Sequence, residues 1–350
     1  MDSVEEIGFA EDFEKDQYLL FEMTEDDIQK LMTGMSEAEF VSTKNQPIVL
    51  CIDENTYDVK EFDTSNMLLP YMDNTILTKA YSTFELRSIK APLLSFRKLL
   101  AENYLTLEEI GGAPLVNPIK FDDLMDNTLC SRYEFNKIIE KLCVIQIDEC
   151  VKMPNLALRN KIIDQIIRFA LTQSDWRKVS EKAVVSTFKL SQILIDQPAN
   201  EEAAINNVEN LVRAVLYSLS ETISNDIITL KEKKIIKHIV ATLLRSQRGN
   251  WMLKENFDKE IQGLVPPDIK FDHTYTYGVC VEHENGYLLI EEETLPITVE
   301  DRFKAIFALH KQWSEHEIAP FFKQFHTKDM HFNEWAKRYI RFADDFYMPR

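Results

Sequence analysis

Glycine is scarce in this chain, at 8 of 350 residues. That shortage weighs against a glycine-rich barrel or a loop-built enzyme and suits helices with short connections. Apolar runs stop at about five residues, far short of the roughly 20 that a membrane-spanning helix needs. The opening residues, MDSVEEIGFAEDFEKD, are acidic, unlike a secretory signal or a transit peptide. Cysteines Cys51, Cys130, Cys143, Cys150 and Cys280 are odd in number and contain no CxxC pair, so a reduced, intracellular compartment is expected. The motifs GxxxxGK[ST], GxSxG, HExxH and GxGxxG are all missing, which leaves no sign of a bound nucleotide or of a familiar catalytic centre.

Metal chemistry is equally thin. Asp53, Asn55 and Asp58 sketch a calcium loop, but its sixth position is Asp58 instead of Gly and its twelfth is Thr64 instead of Glu. A hairpin turn explains them better. His310, His316, His326 and His331 are spaced six, ten and five apart, so no pair lies one helical turn apart, and no Cys is near. The pairs Asp122–Asp123 and Asp344–Asp345 read as solvated faces or caps, because a catalytic dyad needs a pocket the sequence does not show. The expectation is a protein without cofactor or metal, and not an enzyme.

What is present is uneven charge. The net charge is −18, yet residues 1–90 carry 20 acidic and 7 basic residues, or −13, leaving −5 for the other 260. Acidity belongs to the N-terminal part and disfavours it as a nucleic-acid surface.

That part also holds the clearest β signal. Ile48–Ile52 is a β-branched apolar run, Asp53–Asn55 are turn formers, and Thr56–Phe62 returns as a second strand. Asp63–Asn66 read as a break before a third piece, Met67–Leu69, ended by Pro70. Further strands are expected at Gln17–Glu22, Phe40–Thr43 and Lys79–Ile89, with a short helix at Glu25–Met32 capped by Thr24. Residues 1–16 are acidic and weakly patterned, and disorder is expected there. Such a sheet calls for completion by strands from elsewhere in the chain or from a partner.

From about Ala91 the period becomes helical. Leu93, Leu94, Phe96, Leu99 and Leu100 open one pass, followed by Phe121–Leu129, by Tyr133–Val144 with Ser131 as its cap, and by an extended Val144–Val151. The second pass runs Asn160–Thr172, Trp176–Phe188, Glu201–Leu219 and a strand Ile227–Leu230. The third opens at Lys231, continues through Lys254–Leu264, and carries a hairpin over Tyr275–Ile290 with its turn at Glu284–Gly286. A fourth has helices at Val299–His310, Ser314–Phe325 and Asn333–Phe342. The openings near 93, 160, 231 and 299 are 67, 71 and 68 residues apart, as tandem repeats of one small module would be. Helices followed by a hairpin is the order of a winged helix. The expected fold class is therefore α+β, a β-rich partial barrel followed by mostly α tandem winged helices. Boundaries fall at 1–16 (extension), 17–90 (β module), 91–158, 159–230 (winged helix or helical connector), 231–297 and 298–350.

Two separated blocks carry a resemblance. TYDVKEFDTSNMLL (56–69) and DRFKAIFALHKQWSEHEIAPFF (301–322) resemble blocks of the DCC-type sister chromatid cohesion family, in that family's order and with its helical arrangement between them. The resemblance covers nearly the whole chain. It implies a subunit, without ATPase activity, of the alternative replication factor C-like clamp loader, acting in the nucleus in DNA replication and cohesion. It implies that the N-terminal part co-folds with a small subunit and the C-terminal tail of the large subunit into a composite barrel contacting DNA polymerase epsilon. It implies winged helices that bind DNA without sequence preference, and PCNA as an indirect partner. The family has three such domains where the spacing here counts four. The acidic N-terminal extension is longer than the family's, and the last wing, DDFYMPR, is short.

On these grounds the partner-binding residues are expected to be Tyr57, Val59, Phe62, Met67 and Leu68, buried in the chain's own core or against a partner. The basic stretch 231–254 holds Lys231, Lys233, Lys234, Lys237, Arg245, Arg248 and Lys254 against one Glu. Lys233, Lys234 and Lys237 fall off the apolar stripe of their helix and read as one exposed side. Arg245, Arg248 and Lys254 flank the turn that follows. With Lys337, Arg338 and Arg341 on the last helix, these are the candidate phosphate contacts. The rivals are a winged-helix scaffold for proteins only, and an enzyme, for which the sequence offers no pocket.

Overall fold

The computed structural model describes residues 7–11, 13, 18–43, 47–194, 196–283, 286–326, 330–343 and 345–350. It divides into two compact units: residues 1–91 with 126–135, and residues 92–125 with 136–350.

In the N-terminal unit the elements are β1 (Gly8–Phe9), β2 (Phe21–Glu22), α1 (Glu25–Met32), β3 (Ala38–Val41), β4 (Val49–Ile52), β5 (Asn55–Leu68), β6 (Tyr71–Met72), β7 (Thr75–Ile76) and β8 (Ala80–Ile89). Five of them make one sheet in the order β2-β8-β5-β4-β3. Strands β4 and β5 form a tight hairpin, Ile52 opposite Asn55, with Asp53 left-handed at φ 49°. Short polar Asp tolerates that region, which suits a two-residue turn. Thr24 caps α1 by accepting from the Asp27 amide, as its position predicts. Phe21 of β2 and Phe40 of β3, at opposite edges of the sheet, have ring centroids 5.9 Å apart. The sheet therefore curls until its edges approach, but among the described residues no ladder joins β2 to β3.

Two expectations change here. Asp63–Asn66 do not end a strand. The β5 strand continues through them because β8 runs alongside, and the register shift between Asp63 and Leu68 absorbs the polar residues, with the Thr64 hydroxyl donating to Asn66 O at 2.6 Å. Within the first sixteen residues, of which only 7–11 and 13 are described, Gly8–Phe9 is ordered as a strand parallel to Thr75–Ile76.

The C-terminal unit continues with α2 (Leu93–Ala101), α3 (Leu107–Ile110), β9 (Ile119–Lys120), α4 (Phe121–Asp126), α5 (Arg132–Lys141), β10 (Ile145–Ile147) and β11 (Cys150–Lys152); residues 126–135 of this run count with the N-terminal unit. Next come α6 (Leu156–Ala170), β12 (Lys178–Ser180), α7 (Glu181–Ser186), α8 (Leu190–Ile193), α9 (Glu201–Leu219), β13 (Ser220–Ser224) and β14 (Ile227–Leu230). They are followed by α10 (Glu232–Arg245), β15 (Met252–Leu253), α11 (Lys254–Leu264), a 3₁₀ turn at His273–Thr276, β16 (Cys280–His283) and β17 (Gly286–Leu289). The chain closes with α12 (Val299–Leu309), α13 (Glu315–Ile318), α14 (Phe332–Ala336), β18 (Arg341–Ala343) and β19 (Phe346–Met348).

One connectivity recurs. A helix leads into a short strand, further helices follow, and two antiparallel strands close the module, the last strand lying between the other two. The sheet orders are β10-β11-β9, β12-β14-β13 and β15-β17-β16. In the last segment Trp313 stands in for the first strand, bridging to Tyr347 of β19. Each opening helix buries an apolar stripe. In α10 this is Ile235, Ile236, Ile239, Val240, Leu243 and Leu244, and in α6 it is Leu158, Ile162, Ile163, Ile166, Ile167 and Ala170. One aliphatic core runs through the first three modules, whereas the fourth has its own aromatic core, with Phe303 stacked on Phe322 at 3.9 Å between centroids and Trp335 beside both.

Several helical expectations shrink. Trp176–Phe188 is not one helix: Val179 is buried opposite Ile228 in a strand, and Ser180 then caps α7. Ser314–Phe325 breaks after Ile318 because Pro320 cannot supply an amide, and the chain tightens into a 3₁₀ turn over Ala319–Phe322. Asn333–Phe342 ends as a helix at Ala336. Phe342 instead pairs across a hairpin with Tyr347, rings 4.9 Å apart. The hairpin of the third module starts at Cys280, since the 3₁₀ turn holds Tyr275 and Thr276; two residues of its expected turn, Glu284 and Asn285, lie outside the described residues, as does Asp344 of the Asp344–Asp345 pair. All five cysteines are free, and four are buried.

Candidate docking and nucleic-acid interfaces

The sheet of the N-terminal unit is buried on both faces at β4, where Val49, Leu50, Cys51 and Ile52 are all covered. Leu50, Ile52 and Tyr57 form its small core, with Val59 and Leu86 packed against them. Beneath them the buried Asp27 carboxylate accepts from the Tyr57 hydroxyl at 3.0 Å and from the Thr24 hydroxyl at 2.7 Å. Buried Thr56 accepts from the Ser131 amide at 2.8 Å and donates to Glu134 at 2.5 Å. Burial pushes the Glu134 carboxyl above its usual range, the Thr56 bond notwithstanding. These polar anchors give the buried side chains hydrogen-bond partners on both faces of the β4–β5 hairpin.

Its other surfaces are apolar and open. Of the residues expected at a partner interface, Tyr57 is buried within the chain and Val59 and Leu68 are half-buried, but Phe62 is 41% exposed and Met67 48%. Phe40, Ile48, Leu69, Tyr71, Met72 and Tyr81 are exposed in the same unit. The Arg87 guanidinium lies 5.3 Å from the Phe62 ring centre and covers only part of it. Phe62 pairs with Thr83, so exposed Tyr81 lies a diagonal step away on β8, and neighbouring exposed apolar groups mark a binding surface more often than scattered single residues do.

The basic residues are distributed differently from the expectation of one exposed side. Lys233 is exposed, and Arg248 is exposed in the turn after α10 with φ 54°. Lys234 is exposed too, its ammonium donating to Ser218 O, whereas Lys237 is half-buried and donates to Tyr277 O. Arg245 is held by Glu291 at 2.8 Å, and Lys254 pairs with Glu282. At the other end, Lys337, Arg338 and Arg341 are not on a helix. Lys337 is the C-cap of α14, Arg338 follows in a turn, and Arg341 is exposed in β18, because the helix stops at Ala336 and the last hairpin begins.

Lys234 and Lys237 meet cations that sequence reasoning passed over. A cleft of about 330 Å³ is lined by Lys141 from the end of α5, Arg159 of α6, and Lys234, Lys237, His238 and Arg245 of α10, with Glu291, Glu292 and Glu293 following β17. Arg159 pairs with Glu293 at 2.5 Å. Burial pulls Lys237 down to about 8, and the nearby Lys233 and Lys323 push the same way. Burial lowers Lys141 and Lys234 as well. Because Lys141 and Arg159 come from modules other than that of α10, no spacing rule links them. A depressed folded value means that the unfolded chain holds the Lys237 proton more tightly. Stability from this group is therefore least below about pH 8 and rises toward the unfolded value of 10.5. The difference in urea midpoint between the wild type and Lys237→Met should widen in the wild type's favour across that window.

Among the described residues no three His, Cys, Asp or Glu side chains are placed to share a metal ion. His310, one of the four histidines weighed for metal, sits 4.7 Å from His283 ring to ring, and burial together with His283 lowers its pKa.

Fold and surfaces together define a modular α+β protein, with a β-rich N-terminal unit that exposes several large apolar residues and, later in the chain, a run of repeated helix-and-sheet modules. Comparison with known sequences narrows the class to a family: the chain belongs to the family described as "Sister chromatid cohesion protein Dcc1", whose sequence model matches residues 18–322. It is similar to the sister chromatid cohesion protein DCC1 of Xenopus tropicalis, at 24% identity over 91% of this chain and 84% of that one. That of Danio rerio is 22% identical over 90% and 83%. The probable DCC1 of Dictyostelium discoideum is 23% identical over 92% and 90%.

Proposed function

We propose that this protein acts in sister chromatid cohesion as a non-catalytic subunit of an alternative, replication factor C-like loader of PCNA. The N-terminal sheet docks a small subunit and the C-terminal tail of the large subunit, and through them DNA polymerase epsilon. The observation that carries this reading is the open, curled sheet with Phe62, Met67 and Tyr81 exposed on it, an unfinished surface whose natural complement is another chain's strand. The acidity of this unit suits a protein partner better than nucleic acid. Co-expression with the small subunit and the large-subunit tail tests it: a stable ternary complex that the C-terminal unit alone does not form is expected, and a chain that stays alone overturns it.

The repeated modules, read as four winged helices in a nuclear protein, contact DNA by phosphate neutralisation. Of the residues expected to contact DNA, Lys233, Lys234, Arg248, Lys337, Arg338 and Arg341 are exposed. Binding is then weak and salt-dependent, and replacing Lys233 and Arg248 by Gln should reduce the slope of log affinity against log salt by about 2. A gel-shift titration at several salt concentrations measures it. The engagement of Lys234, Lys237, Arg245 and Lys254 in internal bonds favours a second reading, in which the modules are a protein scaffold; a slope unchanged by these substitutions supports that one.

A further inference from the structure

We propose that the cleft between α5, α6 and α10 is a binding site for a small ligand carrying two or more phosphate groups. Five basic side chains, Lys141, Arg159, Lys234, Lys237 and Arg245, converge on it from three helices. Glu293 and Glu291 are taken up by Arg159 and Arg245. Glu292, the remaining carboxylate, lies beside the buried guanidinium of Arg302 and within reach of the Gln324 amide. Among the described residues none of Lys141, Lys234 and Lys237 forms an ion pair. Three ammonium groups thus share one concave space in which five basic side chains face three carboxylates, and Glu292 is a carboxylate whose charge reaches both Lys141 and Lys237.

Each ammonium has three donors. Lys234 and Lys237 use one apiece on the Ser218 and Tyr277 carbonyls. Those bonds aim the groups and leave two protons each for an incoming anion. Burial lowers the pKa of all three lysines, with neighbouring cations contributing, and an anion seated among them reverses both effects. The space is polar at its rim and apolar at its floor, where Cys143, Ile163, Val279 and Leu289 lie. At about 330 Å³ it falls at the small end of small-molecule sites. A duplex cannot enter a recess of that size, whereas a di- or triphosphate can. The shared chemistry is a compact polyphosphate, whether on a nucleoside or on a cyclitol. The site rests on this geometry and not on the clamp-loader reading.

The test is calorimetric titration of the full chain with inorganic tripolyphosphate, ATP and inositol hexakisphosphate, at a fixed ionic strength of about 0.15 M so that diffuse screening is constant, with sulfate as the control. Saturable binding of at least one polyphosphate is expected, with sulfate much weaker. The Lys234→Gln/Lys237→Gln variant should lose about tenfold or more in affinity, as removal of two charge-assisted donors implies, and Lys337→Gln/Arg341→Gln should lose none. Should the double variant fold poorly, Lys141→Gln, whose substitution lies at the exposed end of a helix, should still weaken binding several-fold. No saturable binding, an equal loss in the Lys337/Arg341 variant, or tripolyphosphate that fails to bind while duplex DNA affinity falls in the Lys234/Lys237 variant each overturns the proposal. Assembly with loader subunits is measured separately on the same variants, so failure of that reading leaves this result standing.

Discussion

Lys152→Met should destabilise the first module of the C-terminal unit by about 3–5 kcal/mol, the largest single-residue effect expected in this protein. The Lys152 side chain is 0% exposed and Glu109 1%, with 2.8 Å between their charged atoms. The ammonium also donates to Asn103 Oδ1 and Val116 O, both at 2.7 Å, so all three protons are placed. Glu109 in turn accepts from the amides of Thr106 at 2.9 Å and Val116 at 2.7 Å. Four separated pieces of chain (the end of α2, α3, the loop before β9, and β11) are tied through one ion pair. Removing the lysine strands a buried carboxylate, whose desolvation is then uncompensated.

The same pair gives a pH signature. Burial alone pushes the Glu109 carboxyl up, but the Lys152 ammonium and the two amides outweigh it and hold the group below its usual range. A depressed folded value means this stabilisation is present above the unfolded pKa of 4.5 and is lost as pH falls through the lower, folded value. Urea unfolding from pH 7 downward should show the wild type losing its advantage over Glu109→Gln only in the acid. Hydrogen exchange at Val116 and Glu109 should accelerate in either variant. An unchanged midpoint for Lys152→Met would show that the pair is dispensable.

Phe62→Asp with Met67→Asp should leave the chain folded and weaken assembly with its docking partner by at least about 2–4 kcal/mol, or roughly 30-fold and upward in Kd. Both side chains are close to half exposed in the isolated chain, so neither substitution opens a cavity, and Phe62 gives up only a surface contact with Arg87. In a docked sheet the same atoms are desolvated, and a carboxylate there has no counter-charge. Tyr57 makes the contrast. Its hydroxyl is bonded to buried Asp27, so Tyr57→Phe should lower the melting temperature, as a lost bond worth about 1–3 kcal/mol implies, and leave the affinity of folded protein alone. Co-purification after tandem affinity capture, with a thermal melt of each variant, separates the two effects. Intact assembly with both aspartates in place would move the docking surface elsewhere.

How much of this was legible beforehand follows from what each signal depends on. Local signals were read well. Thr24 announced α1, helical periodicity gave the extent of α9 and the buried stripe of α10, and the turn formers Asp53–Asn55 announced the β4–β5 hairpin, although Asn55 already pairs with Ile52 in β5, because caps, stripes and tight turns are decided within a few residues. Misreadings occurred where a distant partner overrules local pattern. Asp63–Asn66 look like a break but are carried by β8, and Val179 and Phe342 sit in apolar stretches of helical period but pair as strands with Ile228 and Tyr347. Of the proposed DNA contacts on α10 and the turn after it, Lys233, Lys234 and Arg248 are exposed as expected, whereas Lys237 is half-buried with its ammonium on Tyr277 O, which only the packing of the cleft reveals.

The sequence by itself determined the acidic, strand-forming N-terminal part, the helical period from Leu93 onward, its recurrence about every 70 residues and the family blocks at 56–69 and 301–322, because each is a property of consecutive residues. Tertiary structure alone decided that the sheet curls and stays open, that Phe62 and Met67 face solvent while Tyr57 does not, that Lys152 finds Glu109, and that Lys141 and Arg159 join Lys234 and Lys237 around one recess. Those facts are distances between residues far apart in the chain, and charge or hydropathy read along a sequence carries no information about which distant side chain will supply the missing partner.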